Sequence, residues 1–431
     1  MGAAVPDLLG LAGSRRSVDE KVAVIVVVGA GAAGIVAAWK AASSGKRVTL
    51  LEKTNRLGTK ILISGGGKCN ITHDGPIEDV LSAFRKNEAQ FIRPSCYRFP
   101  PRQIVEMLTR RGLKVYTRPD NRIFPSEGTA KDVVAILRQY LIEVGVDIRL
   151  ESPVTGVVVS EGQITGVQTS AGDVEANKVI LCSGGSSYPA TGTTGDGWVW
   201  AKSLGHQIVR VRAALAPIYL SDADPEKSGI ALRSIVLKAR QGGREVTRWN
   251  GDLLFTHRGV SGPTVLGISR KVVEAMDQRE PIALEVDLAP GESFEVLNNR
   301  IKLWLAENPR KQVSTLVTGF VPESLVSDVL SSAQLEVGLI GSSVAVKARN
   351  RLVEVLKGWK IGTVRGVPIE KGECVAGGVS LDEVDPQTMA SRLVKGLYLC
   401  GEILDIAGPV GGYNLQAAFA MGFVAGESAA T

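Results

Sequence analysis

The 431-residue sequence has only five cysteines and three histidines, and aromatic residues make up 5% of it. Each scarcity removes a class of protein. Cys69, Cys96, Cys182, Cys374 and Cys400 are odd in number and form no CxxC pair. Neither a disulfide framework nor a zinc site is indicated, and a reducing cytoplasm is the expected home. His73, His206 and His257 are too scattered for metal-ligand spacing, so no metal is expected. The longest unbroken apolar run is Val22–Val28, far short of the ~20 residues a bilayer span needs, which argues against a membrane protein. Residues 1–20 carry Arg15-Arg16 beside Asp7, Asp19 and Glu20, with no apolar core ahead of a cleavage site. They read as a flexible N-terminal extension rather than a transit peptide.

Glycine is plentiful, at 49 residues alongside 44% hydrophobic content, the texture of an α/β protein with many tight turns. At roughly 150 residues per domain, the length suggests two or three domains.

The stretch from Val22 to Asn70 organises the chain. An apolar strand, Val22–Val28, turns through Gly29-Ala30-Gly31-Ala32-Ala33-Gly34 into an alanine-rich helical pattern, and a second apolar run, Val48–Leu51, ends on Glu52 and Lys53. In such a unit Gly29 permits the turn, Gly31 lets the backbone approach a pyrophosphate, and Gly34 lets the helix lie on the strand. The helix N-terminus then holds phosphate charge, and Glu52 is placed to accept ribose hydroxyls. Next comes Ser64-Gly65-Gly66-Gly67-Lys68-Cys69-Asn70, a bare backbone that a flat ligand can approach closely.

Charge is basic overall, +6 with a pI near 9.0. Ten lysines and arginines fall between Phe84 and Phe124 (Arg85, Lys86, Arg93, Arg98, Arg102, Arg110, Arg111, Lys114, Arg118 and Arg122), with Phe91, Tyr97, Phe99 and Tyr116 among them. The stretch suits phosphate tracking and base stacking, although a solvated helical face over ordinary core aromatics is the plainer reading. Either way it attracts anionic substrates.

Further on, Val154–Val159 and Ile164–Thr169 read as a hairpin, whose entering strand makes Val154 a candidate adenine contact. Val179–Cys182 is a buried strand leading to Ser183-Gly184-Gly185. Thr191-Gly192-Thr193-Thr194-Gly195-Asp196-Gly197 lacks GxGxxG spacing, and no second dinucleotide fingerprint appears. Short alternating runs from His206 to Val286 suggest a small antiparallel sheet or barrel, and helical spacing follows at Ser293–Leu305, Glu323–Leu330 and Val344–Trp359. Leu397–Cys400 is again a strand, with Gly401, Glu402 and Asp405 after it. Gly408–Gln416 then leads into an alanine-rich helix whose N-terminus faces the crevice at the sheet's carboxyl edge.

GAGAAG with Glu52, SGGGKCN, SYPATGTTGDG, FTHRGVSGP (Phe255–Pro263) and CGEILDIAGPVGGYNLQAAFAMGFVAG together resemble one bacterial flavoprotein family, whose members include an aminoacetone oxidase, a bile-acid reductase and a dihydrouridine synthase acting on ribosomal RNA. TGDG and the closing segment also look distantly like fumarate-reductase-type flavoproteins. The resemblance implies an α/β fold: a Rossmann-like FAD-binding domain formed by two segments, residues 21–195 and 360–431. The expected insertions are a β-barrel-like domain (196–290 and part of 340–360) and a helical subdomain (291–345).

The same resemblance implies non-covalent FAD, with its pyrophosphate at Gly31, Ala33 and Gly34, next to Gly29 and Ala32, and its ribose at Glu52 beside Lys53. The ring-side loop falls to Gly66, Gly67, Lys68, Cys69 and Asn70. Glu402 or Asp405 falls to the ribityl chain and Gly412, Tyr413 and Asn414 to the isoalloxazine, with Gly184, Gly185, Gly401 and Gln416 counted among the cofactor-binding residues. Cys374 departs from the family pattern, which has threonine before the glycines. The implied activity is hydride exchange between flavin N5 and a substrate carbon. Cys69, His257 and Tyr413 are the candidates for proton transfer, NAD(P)H is a candidate transient electron donor, and the substrate is a small molecule or, alternatively, a ribosomal RNA uridine. A flavin-bearing binding protein without turnover is the weaker third reading.

Overall fold

The computed structural model describes residues 24–431, so the extension expected over residues 1–20 lies outside the described residues. Val24–Val28 (β1) is a run of β-branched residues, buried almost throughout, as a strand covered on both faces must be. It pairs in parallel with Arg47–Leu51 (β2) on one side and Lys178–Leu181 on the other. Asp147–Arg149 extends the sheet beyond β2, and Leu397–Leu399 extends it beyond Lys178–Leu181. Parallel neighbours need crossovers, and Ala32–Ser43 (α1) is the crossover between β1 and β2. One sheet therefore holds segments from both ends of the described chain.

The closing helix, Tyr413–Ala430, seals this arrangement by lying on α1 across small residues. A Cβ on Gly422 would stand 2.2 Å from the Ala33 carbonyl oxygen, and one on Gly426 would stand 2.3 Å from that of Ala37. Gly34 makes the equivalent contact in the layer beneath, where a Cβ would meet the Gly29 carbonyl oxygen at 1.9 Å. Strand, helix and closing helix are thus stacked at backbone contact, with Ile25, Val36, Phe419 and Val424 fully buried around the contact.

The middle of the chain builds a second core. Ile218–Leu220, Gly259–Ser261, Arg244–Thr256, Ala231–Gln241, Ile282–Asp287 and Trp359–Gly366 form a closed six-stranded barrel, in that order. Helices at Phe294–Glu307, Val313–Val317, Val326–Ser332 and Val346–Gly358 contribute to the same apolar cluster. The chain enters and leaves this unit on one antiparallel pair, Ile208–Ala214 with Cys374–Val379.

The elements shift two of the expected boundaries. The helix Asp196–Ser203 belongs with the first core, because Ala201 is buried there and the Trp198 indole donates to the Ile403 carbonyl at 2.9 Å. By strand pairing the insertion therefore begins near Ile218 rather than at 196, since the TGDG passage breaks the sequence texture before the chain leaves the core. The helical region runs to Gly358 rather than 345, and the barrel's last strand occupies 359–366. A short strand at Gly172–Glu175, absent from the sequence reading, completes a three-stranded sheet with the hairpin.

Gly422→Val is expected to lower stability by about 1–3 kcal/mol or more, because the added side chain must push the closing helix off α1. Urea unfolding of the purified variant checks this, and an unchanged midpoint would contradict the packing described.

Candidate active site

A cavity of about 740 Å³ runs along the carboxyl edge of the sheet and under the barrel. Its first end is built by the glycine turn. α1 starts at Gly31 without a side-chain cap, so N–H groups of its first turn have no intrahelical acceptor and point, with the helix dipole, toward the cavity. Gly31, Ala32 and Ala33 line it there. A Cβ on Gly31 would meet nothing within 4 Å, which leaves this backbone bare to a ligand. Glu52 stands beside it with one carboxylate oxygen accepting from the Ala30 N–H and the other from the Thr54 N–H, both at 2.8 Å. Lys53 reaches across to Asp196 and Thr194, each at 2.6 Å, and so fastens the TGDG loop to the end of β2. Gly29 and Val154 also line this end.

In the middle, Gly184, Gly401 and Glu402 line the wall. Glu402 is clamped by Lys60 at 2.6 Å and by the Val375 N–H at 2.9 Å. Lys60, on the short helix Thr59–Ile63 (α2), also donates to Ser187 at 2.6 Å. Beside them the Ser183 hydroxyl is buried and has no protein partner. That hydroxyl faces Gly197, where a Cβ would stand 2.1 Å from it, and so belongs to the packing behind the wall.

The far end is framed by two glycine loops. Gly65 and Gly66 adopt left-handed conformations, which L side chains avoid, and Gly66 has open space where a Cβ would be. Asn70, with its amide oriented to satisfy both ends, accepts from the Gly412 N–H at 2.9 Å and donates to the Thr72 carbonyl at 3.3 Å. It therefore ties the first loop to the start of the closing helix, which itself begins at Gly412 with no side-chain cap. Asn414 braces the loop before it, exchanging hydrogen bonds with Gly408 at 2.8 and 2.9 Å. Leu215, Pro263 and Leu266 form an apolar cover over this end.

Several of the expected residues support the wall from behind it. Gly34 is used for packing on Gly29, and at Gly185 a Cβ would strike Val375 at 2.5 Å. Asp405 accepts from the Gly377 N–H at 2.8 Å, bracing the turn after Cys374. Gln416 is fully buried, bonded to Thr72 at 2.7 Å and to the Phe99 carbonyl at 2.8 Å. Gly67 is a turn residue at φ +86° and Lys68 is exposed.

None of the three proton-transfer candidates lines the cavity. Cys69 is fully buried, and burial pushes its thiol up to about 12, the setting of an inert packing residue. His257 is exposed in the turn between two barrel strands. Tyr413 stacks on His73 with ring centres 4.5 Å apart, and its hydroxyl meets His73 Nε2 at 3.2 Å while His73 Nδ1 faces the Gly411 carbonyl at 3.2 Å. The Nδ1–H tautomer satisfies both contacts, so Tyr413 donates to His73 and the pair props the Gly408–Gly412 loop. The cavity instead presents Lys60, Arg122, Ser183, Tyr188 and Glu373, which sequence reasoning did not mark as site residues. Tyr188 and Ser183 stand in or beside quoted glycine motifs, and Arg122 was visible only as one of many basic residues.

The family model described as HI0933-like protein Rossmann domain matches residues 23–428. The chain belongs to the HI0933-like family. Over 92% of its length it is 29% identical to the ribosomal RNA dihydrouridine synthase of Haemophilus influenzae, covering 96% of that protein. It is 28% identical to the 3-dehydro-bile acid delta(4,6)-reductase of Clostridium scindens, covering 94% of this chain and 98% of the other. The 3-ketosteroid delta1-dehydrogenase of Sterolibacterium denitrificans shares the fold, with a TM-score of 0.53 at 14% identity over 94% of this chain and 99% of the other. This HI0933-like protein is an FAD-dependent oxidoreductase built on a Rossmann FAD-binding fold. The residues present suit FAD: an uncapped helix end for a diphosphate, a fixed carboxylate for a ribose, and bare glycine loops for a flat ring.

Gly31→Ala is expected to leave the unfolding midpoint of the apoprotein nearly unchanged, because the methyl group enters empty space. It is expected to weaken FAD binding at least about tenfold, ~1.4 kcal/mol, by blocking approach to the α1 N–H groups. FAD fluorescence quenching by apoprotein measures the second effect; equal affinities would place the diphosphate elsewhere.

Proposed function

We propose that this protein reduces a carbon–carbon double bond conjugated to a carbonyl, using non-covalently held FAD. The observation that carries this reading is the continuity of the cavity, from the uncapped α1 end to a chamber covered by Leu215, Pro263 and Leu266. The names of two relatives support the substrate class. A dihydrouridine synthase saturates a uridine C5–C6 bond, which is conjugated to the C4 carbonyl, and a delta(4,6)-reductase of a 3-dehydro bile acid saturates bonds conjugated to the 3-oxo group.

FAD, when bound, supplies a ring that carries a hydride at N5. In this reading the α1 N–H groups would hold the diphosphate, Glu52 the ribose, and Glu402 would meet the ribityl chain. Gly66, Asn70, Gly412 and Asn414 border the ring. The N-terminus of the closing helix favours negative charge developing beside it. Leu215, Pro263 and Leu266 would exclude water from the reacting face. The described residues carry no second dinucleotide-binding unit, in keeping with a nicotinamide donor that visits only transiently or not at all. All five cysteines are free and buried, in keeping with a cytoplasmic home, and no helix among the described residues is long and apolar enough to cross a membrane.

A ribosomal RNA uridine is the second reading, favoured by the Haemophilus influenzae relative and by a further one in Escherichia coli, 28% identical and also named a ribosomal RNA dihydrouridine synthase. The basic stretch lends it less than its composition promised. Arg85 pairs with Glu274, Arg98 with Glu427, Arg102 and Arg110 with Glu106, Arg111 with Glu143, Lys114 with Glu127 and Arg122 with Asp120. Of the remaining three, Arg93 lies over Tyr97 and Arg118 over Phe124. Much of the positive charge there is therefore answered by the protein itself, and a small conjugated ketone is the preferred substrate.

Holoenzyme reduced under anaerobic conditions is expected to be reoxidised by a conjugated cyclic enone and not by the matching isolated alkene, as read from the return of the oxidised flavin spectrum. Failure with every conjugated carbonyl, together with rapid reoxidation by oxygen, would point to an oxidase instead. Reoxidation by a uridine-containing RNA that collapses between low and moderate salt, as phosphate contacts require, would favour the second reading.

A further inference from the structure

Arg122, Tyr188 and Glu373 line the covered end of the cavity, and none of them is needed for the FAD contacts proposed above. They come from three separate segments. Arg122 opens the strand Arg122–Pro125, where it sits directly opposite His73, and its Nε meets Asp120 at 3.2 Å. Tyr188 is held at φ +49°, a left-handed backbone that a bulky residue seldom adopts; such strain persists where surrounding structure enforces it. Here Thr191 enforces it, donating to the Tyr188 carbonyl at 2.8 Å. Glu373 immediately precedes the strand Cys374–Val379 and is anchored by its own N–H, which donates to the Leu215 carbonyl at 2.9 Å. The backbone of Glu373 is fixed, yet its carboxyl has no hydrogen-bond partner among the described residues.

We propose that Glu373 is the acid that protonates the α-carbon of the reduced double bond, and that Arg122 takes the charge developing on the substrate carbonyl oxygen. This rests on the reductase reading above. Bound FAD in its reduced form would supply a hydride, with its electron pair, to the β-carbon, and the π pair would move toward the α-carbon and the carbonyl oxygen. The new C–H bond at the α-carbon forms as the Glu373 O–H bond breaks, its electron pair staying on the carboxylate, which regains a proton from water. The substrate gains two electrons and the flavin loses two, to be restored by a hydride donor of the nicotinamide class.

Glu373 is exposed at the cavity wall, yet the protein around it desolvates its carboxyl enough to hold it above the ordinary glutamate value, while Arg122 and Lys60 pull it back. Tyr188 and Cys374 are the other ionisable groups that feel its charge. A raised acid stays protonated further up the pH scale, so its function is present below its pKa and is lost as pH rises through it. The Tyr188 phenol, raised by burial and by Glu373, is the weaker acid of the two.

The test uses holoenzyme reduced under anaerobic conditions and mixed with cyclohexenone. The wild-type reoxidation rate is expected to fall as pH rises through one ionisation. Glu373→Gln is expected to be slower by roughly a hundred- to ten-thousand-fold and to lack that limb, while Glu370→Gln, exposed and outside the cavity, behaves as wild type. Arg122→Lys is expected to recover some of the rate lost in Arg122→Gln. Independently of turnover, the visible spectrum of oxidised holoenzyme is expected to shift with one proton on pH titration, and Glu373→Gln is expected to abolish that shift. If the wild type is not reoxidised by any conjugated carbonyl, the reductase reading fails and this assignment with it. If the wild type is reoxidised and Glu373→Gln keeps both rate and pH limb, Glu373 alone is overturned. Should Glu373→Gln lose FAD, Glu373→Asp decides, because a displaced limb supports the assignment and an unmoved one overturns it.

Discussion

The structure depends on one close contact: the closing helix lying on α1 with Gly422 against Ala33 and Gly426 against Ala37. Helices normally keep apart by the width of their side chains. Here backbone touches backbone, and the first and last segments of the described chain become neighbouring layers of one domain. Each of the two helices begins at a glycine on the cavity side. α1 opens its uncapped end beside Glu52, and the closing helix opens its own beside Asn70. Two positive helix ends at one cavity are what a ligand with a diphosphate at one end and a reducible ring at the other requires.

The polar groups of the cavity are divided between those already fixed and those still waiting for a partner. Glu52, Lys53, Lys60 and Glu402 are each held by hydrogen bonds that fix their direction, so a ligand meets a preorganised wall. Glu373 differs: it lines the cavity, is exposed, and its carboxyl has no hydrogen-bond partner among the described residues.

The fold was legible where local chemistry and tertiary role coincide. Val24–Val28 reads as a buried strand because nothing polar interrupts it, and Gly29, Gly31 and Gly34 can be assigned separate jobs from spacing alone. The return of Leu397–Leu399 to the first sheet was visible through the glycine-rich segment after it. Cys69 and Tyr413 show where reading by motif runs out. Both sit in glycine loops at the site, yet one faces the core and the other faces His73, because side-chain direction depends on backbone turns that composition does not encode. Glu373, Lys60 and Arg122 stayed hidden for the opposite reason. Each is an ordinary charged residue in sequence, and only the folding together of three distant segments brings them to one space. The ion pairs that neutralise the basic stretch are equally non-local, as with Arg85 and Glu274 or Arg98 and Glu427.

The central claim is that both ends of the described chain together make a cradle for one non-covalent FAD. The most direct test is the visible absorption of the purified protein, followed by denaturation and identification of what is released. The account predicts a yellow protein with the two flavin bands and one FAD per chain freed into solution. A protein that is colourless, and that stays colourless after incubation with FAD, would contradict it.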